Sequence, residues 1–271
     1  MVPLGPLGAF EGAGPGPGPG VIPFAFPGLP GVRCAFTTRT GGVSAAPFDS
    51  ANLSYDVGDD PAAVTHNRRA LAAQLGLSRW CELKQVHGDI LHLEPASTPF
   101  ESASTLEGDA LATSAPGLGL VIKTADCQPI LLAHESGRFV AALHAGWRGN
   151  VLGLPGSAVQ RLCAHYACAP GELLAVRGPS LGPDKAQFLN FAEEFGQEFV
   201  PFFHKKRDTM DLWRLTRHQL ETAGLRPERI FGIDRCTMTE EDAFFSYRRA
   251  RATQGRTGRM MSVVWIGQST Q

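Results

Sequence analysis

The chain has 271 residues, 43% of them hydrophobic and 19% charged, with a formal net charge of -1. That length suits one large domain or two small ones, and the charge balance gives no electrostatic case for nucleic acid or an anionic membrane as main partner. No apolar run is long enough to span a bilayer, and six cysteines at 34, 81, 127, 163, 168 and 236, without a CxxC pair, fit reduced thiols in the cytoplasm.

Residues 1–20, with GAGPGPGPG at their centre, are low in complexity and read as a disordered leader that lacks the basic start and long apolar stretch of a signal peptide. Folded sequence begins near Val21 and runs to the end as a single domain, 21–271. Val32 to Thr37 reads as a strand ending in TTRTGGVS, where Gly41 and Gly42 mark a tight turn. Asp59, Asp60 and Pro61 start a helix whose buried stripe is Val64, Leu71 and Leu75, stopped by Gly76. Strands are expected through Leu83 to Val86 and Ile90 to Leu93.

GLGLVIKTAD reads as the next strand, followed by apolar runs Pro129 to His134 and Arg138 to Leu143 around a turn at Glu135, Ser136 and Gly137. A helix through Ser157 to Tyr166 buries Val159 and Leu162; Leu173 to Val176 is a strand running into the rigid turn RGPSLGP. Phe188, Phe191, Phe195 and Phe199 fall at helical spacing and read as core. Leu212, Leu215 and Leu220 mark a further helix ending at Gly224, and strands at Arg229 to Ile233 and Met261 to Ile266 close the chain around the basic loop FFSYRRARATQGRTGRM, read as solvated surface. Hairpins mixed with helices point to an α+β domain with a mixed sheet rather than a doubly wound one. Neither GxGxxG nor a P-loop is present, which disfavours nucleotide cofactors of those kinds.

Three residues in unusual settings carry the chemistry: His87 in KQVHGD, Cys127 in KTADCQPILL and His144 in ALHAGWRG. Two imidazoles and a thiolate make a three-ligand set for zinc that leaves one tetrahedral corner for water or substrate. If the hairpin closes on Ser136 and Gly137, facing residue numbers sum to 273 and Cys127 lies diagonally across from His144; closing one residue earlier pairs the two directly. Their backbones are then roughly 5 to 8 Å apart, within reach of one metal. His87 has to arrive from another strand. The competing reading of each residue alone is a packed thiol or a satisfied strand-end histidine; the abrupt exit from His144 through Ala145, Gly146, Trp147, Arg148 and Gly149 favours the metal. Two further readings stand beside it: Cys127 as nucleophile with His144 as its base in an amide hydrolase, and a structural zinc in a binding module, against which three ligands instead of four argue.

The ordered motifs TTRTGGVS, NLSYDVGDD, NRRAL, KQVHGD, GDALAT, KTADCQPILL, HAGWRG, GPSLG, FFSYRR and TGRM resemble those of the YfiH family, also called the multicopper polyphenol oxidase or laccase-domain family and known as purine nucleoside phosphorylase-like. The match spans about Val32 to Ile266. The resemblance implies an α/β/β/α sandwich with mixed sheets, a zinc ion on His87, Cys127 and His144, and phosphorolysis of adenosine, inosine, guanosine and methylthioadenosine with adenosine deamination beside it. Purine nucleosides and phosphate are then the partners, with no nucleic acid and no membrane, for a monomer or weak homodimer. It also carries the link to removal of wrong amino acids from peptidoglycan precursors. Copper oxidation of phenols is less favoured, because it needs clustered histidines and the eight here show no HxH pair. Family members follow the GPSIG turn with Cys and a Tyr-Glu-Val segment, whereas Pro183, Asp184, Lys185, Ala186 and Gln187 stand here, so a second thiol near the metal is expected to be missing.

Phosphorolysis needs cations for phosphate and help for the purine leaving group. The expected phosphate contacts are Arg148 first, then Arg39 and Arg248, all read as exposed-loop residues; Asn52 is expected to hydrogen-bond sugar or base. Asp126, beside the thiolate, is expected to orient water, to act as acid and base, or to support an imidazole from behind.

Overall fold

The central hairpin closes on Ser136 and Gly137, one of the two registers its sequence allows. In the computed structural model, which describes residues 18–253 and 255–267, Gln128 faces Ala145 and Pro129 faces His144, both pairs summing to 273. The two strands are β7 (Gln128–His134) and β8 (Val140–Ala145), and every residue of both is buried, as befits strands covered on two faces.

Around them a six-stranded sheet runs β12 (Ile230–Gly232), β9 (Leu173–Arg177), β7, β8, β5 (Ala110–Thr113), β4 (Leu91–Leu93). A five-stranded sheet runs β1 (Val21–Phe24), β2 (Val32–Thr37), β13 (Met260–Ile266), β6 (Leu118–Thr124), β3 (Arg79–Glu82). Each mixes pairings: β3 with β6, β4 with β5 and β9 with β12 are parallel, the rest antiparallel. The sheets pack face to face through Cys34, Phe36, Leu120, Ile122, Leu131, Val140, Ala142 and Val176.

The outer faces are covered by helices. α1 (Pro61–Leu75) lays Leu71, Ala72 and Leu75 against Val121, Val263 and Trp265 of the five-stranded sheet. Its start is fixed by Asp60, whose side chain accepts from the Ala62 N–H, a cap of about 1 kcal/mol; it stops at Gly76 in the left-handed region (φ 66°). α3 (Leu154–Tyr166) and α5 (Leu212–Thr222) cover the other sheet through Leu154, Val159, Leu162 and Leu220. The order helix, sheet, sheet, helix is the mixed α+β sandwich expected. The short helices α2 (Trp147–Val151), α4 (Phe191–Glu194) and α6 (Tyr247–Ala250) and the ribbon β10 (Phe203–His204) with β11 (Thr209–Met210) complete the described residues. The expected leader lies almost wholly outside them.

Two expected elements differ. Residues 83–86 form no strand: the ladder is Arg79–Glu82, because the N–H groups of Val86, His87 and Gly88 turn onto the carboxylate of Asp109. The phenylalanine segment is not one helix. Phe188, Phe195 and Phe199 are buried together with Phe202, Met210 and Leu215, as core, but helix forms only over Phe191–Glu194, and Gly196 and Pro201 leave the following turn 3-10.

Candidate metal centre

His87, Cys127 and His144 converge. One donor atom from each lies within 4.8 Å of the other two, and the two imidazole centroids are 4.8 Å apart at 71°. His144 is on β8, Cys127 on the connection from β6 to β7, and His87 on the loop from β3 to β4. A side chain at position 146 would end this arrangement, since a Cβ on Gly146 would meet the Cys127 Sγ at 2.9 Å and the His87 ring at 3.2 Å.

The residue that unites the histidines is Asp109, at the start of β5 and fully buried. Its Oδ1 accepts from His144 Nδ1 at 2.8 Å and from the His87 backbone N–H at 3.0 Å; its Oδ2 accepts from the Gly88 N–H at 2.7 Å. The same residue's backbone carbonyl accepts the His144 N–H at 2.7 Å. These bonds hold His87 at φ 61°, a conformation non-glycine residues adopt only where surroundings dictate it. Gln85 ties the loop to β6, its amide exchanging hydrogen bonds with both backbone groups of Lys123. Neither Asp109 nor Gln85 stands out in the sequence as a site residue, although both lie inside motifs, GDALAT and KQVHGD; a buried carboxylate shows its role only once the loop it folds is seen.

Electrostatics favour deprotonated sulfur. Burial alone pushes the Cys127 thiol up, but the charge of His144 and hydrogen bonds from His144 and His87 outweigh it and bring the thiol down to about 6. Burial pushes His144 down, and the Cys127 thiolate with the Asp109 hydrogen bond carries it up to about 9. Burial raises the Asp109 carboxyl, and His144 with the N–H groups of Gly88 and His87 holds it below the usual range. An imidazole whose Nδ1 is committed to a carboxylate presents its other nitrogen to the thiolate side, the arrangement typical of zinc-binding histidines. The donor set therefore fits a soft-to-borderline divalent ion. His144 is buried while His87 is exposed, so the free side of the cluster is the side of His87.

The remaining expected residues divide. Arg148 is exposed on α2, not in a loop, and its guanidinium lies over the Trp147 ring at 4.4 Å; Trp147 itself rests on Phe188 and Phe195. Arg248, in α6, is partly buried, its Nη1 donating to the Gln187 carbonyl. Arg39 is also partly buried and is held by the Asp49 and Glu241 carbonyls and the Asp49 carboxylate. Asn52 does not face a ligand: it is fully buried, its amide N–H groups donate to Ser54 and Asp59, and its oxygen accepts from the N–H groups of Ser54 and Arg259. Asp126 accepts from the Thr237 hydroxyl at 2.6 Å and the Arg248 N–H at 2.8 Å, so both oxygens tie distant loops together. A cation not singled out beforehand, Arg259 in TGRM, feels the charges of Cys127 and Asp126. Beside the GPSLG turn, Cys236 Sγ accepts from the Gly182 N–H at 3.3 Å, and it is not among the donors that converge with His87, Cys127 and His144. A cavity of about 370 Å³ lined by Val151, Phe199, Phe202, Leu215 and His218 among others includes none of the three metal-ligand residues.

The chain is similar to known proteins over most of its length. Residues 33–267 match the family described as multi-copper polyphenol oxidoreductase laccase. The chain is 37% identical over 246 residues to the purine nucleoside phosphorylase YfiH of Escherichia coli, covering 87% of this chain and 94% of that one. It is 39% identical over 245 residues to a purine nucleoside phosphorylase of Pseudomonas aeruginosa, covering 87% and 93%. The crystal structure of YlmD from Geobacillus stearothermophilus superposes with a TM-score of 0.81 at 31% identity, covering 92% of this chain and 97% of that one.

Proposed function

This chain belongs to the YfiH family, described as multi-copper polyphenol oxidoreductase laccase, and from that premise we propose that it is a zinc-dependent purine nucleoside phosphorylase. Its substrates are adenosine, inosine, guanosine and methylthioadenosine with phosphate, and it deaminates adenosine at the same site. The observation that carries this reading is the three-donor cluster with one exposed side. Relatives at 37% and 39% identity carry the phosphorylase name over nearly their whole length.

His87, Cys127 and His144 would hold the zinc ion, which would supply Lewis acidity when bound. The protein's own residues do the rest. Asp109 fixes the orientation of His144 and the loop of His87. Arg148, exposed four residues after His144 and braced on Trp147, is the first phosphate contact; Arg248, Arg259 and Arg39 add positive charge. Asp126 acts as a positioning residue that holds the Arg248 backbone. The reduced state of all six cysteines supports a cytoplasmic location, and no helix among the described residues is long and apolar enough to cross a membrane.

Incubation with adenosine tests the reading directly: adenine released only when phosphate is present marks phosphorolysis, and inosine marks deamination. Absence of both products from zinc-loaded protein overturns it. One second reading has a specific observation behind it. The depressed Cys127 thiol beside a raised His144 is also the pattern of a nucleophile and its base, which would suit an amide hydrolase acting on peptidoglycan precursors. Activity that survives complete removal of metal would favour that hydrolase. A multicopper oxidase is disfavoured, since among the described residues His87 and His144 are the only two histidines that share a potential metal cluster.

A further inference from the structure

The far end of β7 carries a second convergence of donors. Strand β7 begins one residue after Cys127 and ends at His134, so His134 lies roughly 20 Å from the first cluster. One donor atom each from His134, Cys168 and Glu172 lies within 4.8 Å of the other two, and the sulfur of Cys163 is 3.8 Å from that of Cys168. Donors around a tetrahedral zinc ion stand about 3.3 to 3.8 Å apart, so side-chain adjustments of about 1 Å would bring these onto one ion.

His134 shows that the cluster is incomplete as it stands. The residue is only 6% exposed, and its Nε2 is buried with no hydrogen-bond partner. The nearest carboxylate oxygen, Glu172 Oε2, is 3.9 Å away, beyond hydrogen-bond range, and is occupied by the Ala169 N–H at 2.6 Å. A buried imidazole nitrogen without a partner is destabilising, and a metal ion is the partner this donor set would accept. The other ring nitrogen is served already: Nδ1 lies 2.8 Å from Ser136 Oγ and 3.1 Å from the Ser136 N–H. With a cation on Nε2 the ring proton moves to Nδ1 and donates to Ser136 Oγ, while the Ser136 N–H turns to solvent, which its exposed position permits.

The surroundings suit a structural ion. Cys168 follows the left-handed cap residue of α3, Ala167 (φ 48°), and its N–H returns to the Cys163 carbonyl, so both sulfurs sit at one helix end. Phe139 stacks on Tyr166 at 3.9 Å between rings and lies 5.3 Å from the His134 ring, walling one side. The nearby arginines are already engaged, Arg138 with the Ala167 carbonyl and Arg229 with the Glu135 carboxylate. We propose that His134, Cys168 and Glu172, completed by Cys163, form a second divalent-metal site of the zinc class, closed and structural, which fastens the end of α3 to the end of β7.

The test uses full-length Cys127→Ala protein under reductant, titrated with Co2+, with no nucleoside present, so its outcome is independent of the phosphorylase reading. The expected result is about one Co2+ per chain with thiolate-to-cobalt charge-transfer absorption and a raised melting temperature. Adding Cys163→Ala and Cys168→Ala together should abolish the band, and adding His134→Gln alone should weaken binding at least about tenfold. Should either variant fail to fold, Glu172→Gln at its half-exposed position reads the same loss of affinity. Cys127→Ala protein that shows no thiolate band, or a band that survives removal of both Cys163 and Cys168, overturns the proposal.

Discussion

Two polar clusters draw on the five-stranded sheet and the connections that leave it, one fully buried and one with an exposed side, and they are built on opposite plans. Arg68 of α1 and Glu82 of β3 are both fully buried. The guanidinium donates to both Glu82 oxygens and to the carbonyls of Leu53, Phe100 and Ser102, and Lys123 stands 3.4 Å from the same carboxylate. Neither Arg68 nor Glu82 has a buried polar atom without a partner. The cluster of His87, Cys127 and His144 also has its supporting bonds in place, but its three donors face one another and an exposed side instead of saturating one another. The first plan consumes polar capacity and yields architecture; the second holds it in reserve, and that reserve is where chemistry can occur.

The sharpest way to break the comparison is to treat both clusters alike. Arg68→Ala strands a buried carboxylate and should destabilise the fold by about 3–5 kcal/mol, measured as a shifted urea midpoint, while the fraction that stays folded keeps its activity. Cys127→Ala should do the reverse: activity and the first metal equivalent fall more than about a hundredfold, with an unchanged circular dichroism spectrum. A large loss of stability from Cys127→Ala, or of activity per folded molecule from Arg68→Ala, would dissolve the distinction.

Asp109→Asn sits between these extremes. It keeps the shape but weakens the anchor of both histidines, and zinc affinity measured by chelator competition should drop about 10- to 100-fold. The smallest effect concerns pH. In metal-free protein the Cys127 thiol ionises near 6 and should react with iodoacetamide with a midpoint there, and zinc should suppress the reaction. The linked stability effects oppose each other. The lowered thiol contributes stability that is present above its unfolded value of about 9 and lost as pH falls through 6; the raised His144 contributes stability present below 6.5 and lost as pH rises through about 9. Between 6.5 and 9 the two slopes cancel, so melting temperature should show almost no pH dependence from this pair.

Much of this was legible in the residues themselves. The α1 boundaries follow from Asp60, Pro61 and Gly76, and the hairpin turn from Glu135, Ser136 and Gly137, with the register open by one residue, because caps and tight turns are local physics. The meeting of Cys127 with His144 follows from either register. His87 was recognisable by its motif alone, since its position depends on Asp109, distant in the chain and silent until the loop is folded around it. Asn52 misled for a related reason: a polar residue inside a loop motif reads as a ligand contact, yet its amide is occupied by Ser54, Asp59 and Arg259. The phenylalanines betrayed their burial by spacing but not their backbone, which Gly196 and Pro201 interrupt.

His87 lies between β3 and β4, and Cys127 between β6 and β7; in each case the chain is leaving the five-stranded sheet for the six-stranded one. The full ligand set is therefore stitched across the seam of the sandwich: the β7–β8 hairpin brings Cys127 beside His144, and His87 joins only when the loop leaving β3 is docked onto it. An ion captured there certifies that the two layers have come into mutual alignment, so metal occupancy can serve as a fingerprint of finished folding, and a nascent or misdocked chain would be unable to counterfeit it.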